Sequence, residues 1–308
     1  MTTSFLNLPN QGKNQWWRYA LGTGLVLFFW LILGSMPFLF AGIRAVTDEN
    51  PATQIDPNTG LLRGVDPVFG NYVLPNLAFP FFLFGIFFAV RILHKRRLRT
   101  LITTESQLSS QRILQGFGLW FGFAAIVTFS EYLLHPEAFS WSSVAPGRYI
   151  GFVALALILT PIQTTTEELF FRGYLLQGLG RGIRQPFILA ACNGLLFMLP
   201  HVFNPEVQSG VVLTLLYYWG IGAFFAWITL KDQRLELALG AHAANNLFVA
   251  LFVNFKQSAL QTPALIQSNR LDPLYNLIAF VMMAAIFHLI VFSGTGEQRR
   301  SSQRANQT

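Results

Sequence analysis

Two adjacent carboxylates and an arginine follow a long apolar stretch in the segment TTTEELFFRG, residues 164–173. Residues four apart share one face of a helix, so Glu168 and Arg172 can form an ion pair, in the favourable order with the acid first. Glu167 is rotated from Glu168 by about 100° around the helix axis and can direct its carboxylate elsewhere. A carboxylate in a low-dielectric pocket is a candidate general base for activating water. The pattern therefore predicts one paired acid, Glu168, and one free acid, Glu167.

Two further motifs with polar side chains lie downstream in apolar surroundings. The segment FMLPH places Phe197 and His201 four apart, with Pro200 perturbing the helix just before the histidine. The segment HAANN places His242 and Asn246 four apart on one helical face. Imidazole and carboxamide N–H groups aimed at a developing oxyanion would stabilise the transition state of an acyl transfer.

The same side chains also suit a metal ion. Glu167, His201 and His242 combine one carboxylate with two imidazoles, which is the protein ligand set of some catalytic zinc sites. The spacing lacks the HExxH pattern of soluble zinc proteases. The residues alone therefore leave two alternatives open, a divalent metal such as zinc and a metal-free glutamate mechanism.

The elements that must position these groups are membrane-spanning helices. Of the 308 residues, 53% are hydrophobic and only 11% are charged, against about 25% charged in soluble domains. A helix of about 20 apolar residues crosses the hydrocarbon core of a bilayer. We predict an all-α polytopic membrane protein with about eight spans, the first of which is retained rather than cleaved. The apolar stretches cover 17–43, 72–93, 113–134, 149–170, 186–203, 209–230, 236–255 and 273–293.

The charge distribution predicts the orientation of the chain. The net charge is +7, but the basic residues are spread over short loops, which argues against a nucleic-acid partner. Most of these loops, such as 94–112, lie on one predicted side of the membrane. The positive-inside rule makes that side the cytoplasm and puts both termini there. We expect the protein to lie in the plasma membrane or another energised membrane. The lone Cys192 excludes a disulfide framework and a thiolate metal site.

The chain divides into three parts by the placement of its polar residues. Residues 1–145 hold three spans with almost no ionisable group at membrane depth and are predicted to be a scaffold. Residues 146–255 hold four spans that carry the motifs and are predicted to be the catalytic core. An ionisable group at the bilayer centre costs at least about 2.5 kcal/mol, so this clustering indicates one shared cavity. Residues 256–308 hold the final span and a polar cytoplasmic tail.

The ordered motifs resemble those of a known family. On successive spans, Glu167-Glu168-x-x-x-Arg172, Phe197-x-x-x-His201 and His242-x-x-x-Asn246 look like the three motifs of the CAAX-processing and bacteriocin-immunity proteins. This family is also called the CPBP or ABI family of intramembrane proteases, and its members include type II CAAX prenyl endopeptidases. The resemblance covers roughly 150–255. It implies a glutamate-dependent intramembrane endopeptidase, whose eukaryotic and archaeal relatives cut the last three residues from prenylated CAAX proteins.

The resemblance also implies roles and partners. The partners would be the lipid bilayer and a membrane-associated peptide or protein substrate, CAAX-like or bacteriocin-like. Members are often called metalloproteases, while a metal-free glutamate mechanism has been argued for relatives, so the cofactor stays unknown. The implied roles are Glu167 and His201 as the water-activating pair, His242 and Asn246 as the oxyanion or ligand pair, and Glu168 with Arg172 as the supporting acid and its partner.

The depths of these residues do not match if every span is a simple straight helix. Glu167 would lie near the inner end of its span, with His242 about 9 Å and His201 about 23 Å in from the same side. A single site therefore requires a longer or tilted helix through Glu167, a break near Pro161 or Pro200, or helices that end within a cavity.

Two functions from other classes compete with a protease. Buried Glu, Arg and His networks also mark transport paths, so the protein could be a transporter. It could also be a catalytically silent immunity or scaffold protein. No paired broken spans recur in two related halves, which argues against a transporter, and the complete motifs argue against a silent protein. Structural roles are favoured for Glu131, Asn193, Glu236 and His288, although Asn193 and Asn245 could line the cavity.

Overall fold

A computed structural model describes residues 4–47, 52–55, 62–255 and 258–305 of the chain. Residues 256–257 and 306–308, which belong to the predicted final segment, lie outside the described residues. The described residues are mostly helical, as expected for an all-α membrane protein. The helices are α1 (Trp16–Leu27), α2 (Met36–Thr47), α3 (Leu74–Asn76), α4 (Ala78–Phe88), α5 (Ser110–Leu134), α6 (Pro146–Glu168), α7 (Leu176–Leu179), α8 (Pro186–Met198), α9 (Val211–Asp232), α10 (Glu236–Leu251) and α11 (Pro273–Ala305).

Six helical stretches in the described part of the chain are long and apolar enough to cross a membrane. The predicted count of about eight spans is not confirmed, because the stretches at 186–203 and 236–255 form shorter helices. Helix α8 has 13 residues and α10 has 16, so α10 rises only about 24 Å and falls short of a ~30 Å core. The six stretches are Trp16–Ala45, Phe69–Leu93, Ser110–Leu134, Pro146–Leu179, Val211–Asp232 and Pro273–Ser293.

Short strands connect some of the helix ends. Strands β1 (Gln54–Ile55) and β2 (Leu62–Arg63) pair antiparallel. Strands β3 (Phe139–Trp141), β4 (Val253–Phe255) and β5 (Ile266–Ser268) form a second sheet in the order β3-β5-β4. Strand β3 is antiparallel and β4 is parallel to β5, so the end of α10 is tied to the segments that follow α5 and precede α11.

The helix that carries Glu167 is much longer than a single span. Helix α6 continues through a π-helical segment, Leu169–Leu175, into α7, and the whole stretch Pro146–Leu179 has 34 residues, or about 51 Å. Glu167 therefore lies about 18 Å from the Leu179 end. Pro161 lies inside α6 without ending it. The longer helix therefore removes the mismatch in depth that straight spans predict for Glu167.

The end of helix α8 accounts for the depth of His201. It ends at Met198 and passes into a single 3-10 turn, Leu199–His201, whose Pro200 cannot donate the backbone hydrogen bond needed to continue an α-helix. A second 3-10 turn, Pro205–Ser209, follows before α9 begins. His201 therefore lies where a short helix stops, rather than part of the way along a complete span.

Helix α10 crosses α5 at backbone contact, and two glycines permit the approach. A Cβ atom on Gly240 would lie 1.9 Å from the Ile113 carbonyl oxygen, and one on Gly116 would lie 2.2 Å from the Leu237 carbonyl oxygen. Only a residue without a side chain fits such a crossing. This contact joins the predicted scaffold to the helix that carries His242, while the predicted boundaries at 145 and 255 stay predictions.

The N-terminal segment is attached to the long helix through a buried histidine. The His94 Nδ1–H donates to the Lys13 carbonyl at 2.8 Å, and His94 Nε2 lies 2.9 Å from the Tyr174 hydroxyl. Burial, aided by the nearby Arg96 guanidinium, lowers the pKa of His94 to about 4. The imidazole is therefore neutral in the folded protein near neutral pH.

We expect Gly240→Ala to destabilise the protein by about 1–3 kcal/mol, because the new methyl group overlaps the Ile113 carbonyl and forces α5 and α10 apart. Thermal unfolding of purified protein in detergent measures the change. Gly118→Ala is the matched control on α5, since a Cβ there meets nothing within 4 Å. Equal melting temperatures for the two variants would contradict the close crossing.

We expect wild-type protein to lose stability as the pH falls from about 6.5 to about 4. The unfolded chain binds a proton at His94 below about pH 6.5, whereas the folded chain resists protonation until about pH 4. At pH 5 the loss from this group is about 2 kcal/mol. Melting temperatures at pH 7.5 and 5 should therefore differ less for His94→Gln than for wild type. A difference in His94→Gln as large as that in wild type would refute the assignment.

Candidate functional site

An ion pair shared with an imidazole forms the buried floor of the site. Arg172 Nη1 and His242 Nδ1 each donate to Glu168 Oε1 at 2.7 Å. The Glu168 and Arg172 side chains are fully buried. The Arg172 guanidinium also lies over the Phe197 ring, 4.0 Å from its centroid. One carboxylate oxygen therefore holds together α6, the π-helical segment that follows it, and α10.

Glu167 points its carboxylate in a different direction from Glu168, as its rotation around the helix requires. Its Oε2 lies 3.7 Å from His242 Nε2, and its Oε1 accepts a long 3.4 Å hydrogen bond from Gln163 Nε2. The side chain is 7% exposed and lines a cavity. Glu167 therefore presents a carboxylate with few hydrogen bonds to an open space, whereas Glu168 is engaged behind it.

Helix α10 presents an imidazole and an amide to the same space. The hydrogen bond to Glu168 fixes the His242 ring so that Nε2 faces Glu167. One turn later, the Asn246 Oδ1 accepts from Asn245 Nδ2 at 3.1 Å, and Trp120 Nε1 donates to Asn245 Oδ1 at 3.2 Å. This chain of bonds leaves the Asn246 Nδ2 as the amide group available to donate into the cavity.

His201 enters the cavity from the end of α8. Its Nδ1–H donates to the Phe197 carbonyl at 2.9 Å, so Nε2 is the free ring nitrogen. The Tyr218 ring stacks on the imidazole with centroids 4.3 Å apart. Tyr218 in turn donates through its hydroxyl to Glu206, and the Ala259 N–H donates to the same carboxylate at 3.0 Å.

Sequence reasoning did not single out Glu206 or Tyr218. Glu206 is 7% exposed and lies in the 3-10 turn between α8 and α9, which the sequence presents only as a short connection. The available signal was a carboxylate five residues after a candidate histidine. Its burial depends on the 258–262 segment, which no local pattern predicts.

The cavity has a volume of about 500 Å³ and brings the motifs together. Glu167, His201, His242 and Asn246 all line it, while Glu168 and Arg172 lie behind its wall. Much of the remaining lining is aromatic, and some of it comes from the first 145 residues. The lining aromatic residues include Trp30, Tyr72, Phe79, Phe171, Tyr217 and Phe225.

The predicted metal ligands do not form a recognisable metal centre. Among the described residues, no group of three His, Cys, Asp or Glu side chains is arranged to hold an ion. Glu167 Oε2 and His242 Nε2 lie 3.7 Å apart, and the other ring nitrogen of His242, Nδ1, lies 2.7 Å from Glu168 Oε1. Metalloprotease character therefore has no support in the described structure, and the choice between a divalent metal and a metal-free glutamate mechanism stays as the sequence left it.

Most of the other polar residues within the predicted spans have structural partners. Asn193 is buried and donates to the Phe171 carbonyl at 2.7 Å, outside the cavity lining. Glu236 accepts from the Ser109 N–H at 3.2 Å. His288 lies 2.7 Å from Lys231 Nζ. Asn245, in contrast, lines the cavity.

Comparison with known proteins gives two findings that cover this site. A family profile described as Type II CAAX prenyl endopeptidase Rce1-like matches residues 147–248, which contain every motif residue from Glu167 to Asn246. The chain is also 35% identical over 280 residues to the uncharacterized protein YyaK of Bacillus subtilis (strain 168). That similarity covers 91% of this chain and 92% of the relative.

We expect Arg172→Met to destabilise the protein by about 3–5 kcal/mol, because it leaves the buried Glu168 carboxylate without its cationic partner. Unfolding of the purified protein in detergent measures the loss. The double variant Arg172→Met/Glu168→Gln removes both charges and should recover part of the stability.

The matched control for this pair is Arg112→Met. Arg112 pairs with Asp232 at 2.9 Å, but its side chain is 25% exposed, so water replaces part of the lost interaction and the expected loss is smaller. Equal losses for the two arginine variants, or no recovery in the double variant, would contradict the buried-pair interpretation.

Proposed function

The chain belongs to the Rce1-like family of type II CAAX prenyl endopeptidases, and from this premise we propose that it is an intramembrane endopeptidase in which Glu167 activates water. The family is one of CAAX-type proteases of the membrane, and the apolar helices make this chain an integral membrane protein. The observation that carries the proposal is that Glu167, His201, His242 and Asn246 line one cavity.

In the proposed first step, a water molecule donates a hydrogen bond to Glu167. The carboxylate takes the water proton while the oxygen attacks the carbonyl carbon of a peptide bond. His201 Nε2 accepts the second water hydrogen and orients the attack, since its Nδ1–H is held by the Phe197 carbonyl. Support for this division comes from the sparse hydrogen bonding of Glu167, whose only side-chain donor in the described structure is Gln163 at 3.4 Å.

The developing oxyanion is stabilised by donors on α10. Asn246 Nδ2 donates to it, and His242 donates through Nε2 when both ring nitrogens carry protons, with Nδ1 held by Glu168. When the tetrahedral intermediate collapses, the carbon–nitrogen bond breaks, and the proton held by Glu167 passes to the leaving amine. Glu168 and Arg172 do not touch the substrate in this scheme. They position His242.

The substrate class follows from the cavity walls. A space of about 500 Å³ accommodates a few residues of an extended peptide, and its aromatic lining suits apolar side chains or an attached lipid. We propose a membrane-associated peptide or protein as the substrate, with a CAAX-like C-terminal segment as the first to test. The proposal includes the orientation with both termini in the cytoplasm, supported by the basic loop 94–112.

We expect purified protein to cleave members of a library of membrane peptides that includes prenylated CAAX-like sequences, with the products identified by mass spectrometry. Glu167→Gln should lower the cleavage rate by at least about 100-fold, because it removes the general base while keeping the side-chain shape. The matched control is Glu131→Gln, which changes a carboxylate in α5 that does not line the cavity.

Equal cleavage by wild type and Glu167→Gln would remove the proposed mechanism. A parallel arm adds a chelator to the wild type. Loss of cleavage with the chelator and recovery with added zinc would also contradict the scheme, because no step in it involves a metal. If no variant cleaves any peptide, although a thermal transition shows that the protein is folded, the result would favour a silent member of the family.

A further inference from the structure

A second cavity lies away from the cavity that contains Glu167, and its lining is strongly basic. It has a volume of about 310 Å³ and is formed by Gln11 and four cationic residues. We call it the basic pocket, defined by Gln11, Arg91, Lys95, Arg96 and Arg97. In the described structure no ion pair joins any of the four cations to a carboxylate.

Arg96 is the residue that makes this pocket unusual. Only 2% of it is exposed, and its Nη1 donates to Gln177 Oε1 at 2.7 Å. Its Nε and Nη2 atoms are buried with no hydrogen-bond partner among the described residues. Burial lowers the pKa of Arg96, which reflects the cost of placing a guanidinium away from water without a counter-charge.

The backbone around Arg96 separates its side chain from those of its neighbours. Lys95 adopts a left-handed conformation with φ of 53°, which is uncommon for a residue with a side chain. His94 and Arg96 are buried, whereas Lys95 and Arg97 are exposed. This turn therefore places two exposed cations beside a buried guanidinium, two of whose nitrogen atoms have no acceptor in the described part of the protein.

The position of the pocket matches the level of lipid headgroups. Arg91 lies in the last turn of the helical stretch Phe69–Leu93, which is long and apolar enough to span a membrane. A guanidinium presents paired N–H donors that fit the oxygens of a phosphate, and further cations nearby add favourable electrostatic energy. A phosphate group would therefore supply the negative charge that Arg96 and the other three cations of the pocket lack in the described structure.

We propose that the basic pocket binds a phosphate group, carried either by an anionic phospholipid or by a soluble phosphate compound. The phosphate contacts the exposed Lys95 and Arg97, and the buried Arg96 guanidinium beside them adds a further positive charge. Because Arg96 also holds Gln177, whose Nε2 donates to the Thr100 carbonyl at 2.7 Å, binding stabilises the end of the long helix that carries Glu167. This site is independent of the proposed peptidase chemistry.

The test measures binding to full-length protein in a neutral detergent. The protein is titrated with short-chain phosphatidylglycerol, short-chain phosphatidylcholine or inorganic phosphate at constant ionic strength, and the thermal transition gives an apparent Kd. We expect phosphatidylglycerol or inorganic phosphate to raise the melting temperature. An effect of phosphatidylglycerol without one of phosphate identifies a lipid headgroup, whereas an effect of phosphate identifies a soluble source.

Variants test whether the shift comes from this pocket. Arg96→Gln should weaken the apparent Kd about tenfold, since it removes the buried positive charge beside the bound phosphate. If Arg96→Gln does not fold, Lys95→Gln and Arg97→Gln, whose side chains are exposed, should each weaken binding by several-fold. The control Arg184→Gln removes an exposed basic residue outside the pocket and should bind as wild type.

Three results would overturn the proposal. The first is the absence of a shift with either phosphate-bearing anion. The second is an equal shift with phosphatidylcholine, which carries no net charge. The third is a loss of binding in Arg184→Gln as large as that in Lys95→Gln and Arg97→Gln, because the effect would then come from overall charge.

Discussion

The site depends on a single carboxylate oxygen, Oε1 of Glu168, which accepts from both Arg172 and His242 at 2.7 Å. All three side chains are nearly or completely shielded from solvent. A buried charge without a partner is strongly destabilising, so α6 and α10 must pack in the register that keeps this contact. In the same structure α10 approaches α5 at backbone distance, which the glycines at the crossing permit. Helix α10 therefore joins the motif residues to the packing of the bundle.

The π-helical segment Leu169–Leu175 follows the two glutamates directly and contains Arg172. A π-helical turn adds a residue to the helical repeat and changes the direction of the side chains after it, and such turns occur often at functional sites. Here the helix stays continuous to Leu179, and Arg172 Nη1 lies 2.7 Å from Glu168 Oε1 across the start of this segment. Glu167 is thereby kept well inside a 34-residue helical stretch rather than at its end.

Much of this arrangement could be predicted from local spacing, and the rest depends on contacts between distant segments. The pairing of Glu168 with Arg172 follows from a four-residue interval, and the gathering of the motifs in one cavity follows from the cost of isolated polar groups in a membrane. The span count is not confirmed because α8 and α10 are apolar but short. Hydropathy alone does not show where Pro200 ends a helix. Tyr218 and Glu206 were missed because their placement beside His201 is set by the turns that join α8 to α9 and by the 258–262 segment.

Two arginines, Arg96 and Arg172, are fully or nearly fully buried. Their surroundings differ in one respect. Arg172 has a carboxylate one helical turn before it, so its charge is balanced within the protein. Among the described residues, Arg96 has only the neutral Gln177 as a side-chain hydrogen-bond partner, and its neighbours in the basic pocket are cations, apart from Gln11. The same desolvation cost applies to both residues. The described part of the fold supplies an anion to the first arginine and none to the second, and the proposed phosphate would balance that second charge. Through Gln177 that anion would act on α7, at the end of the helix whose other residues hold the site.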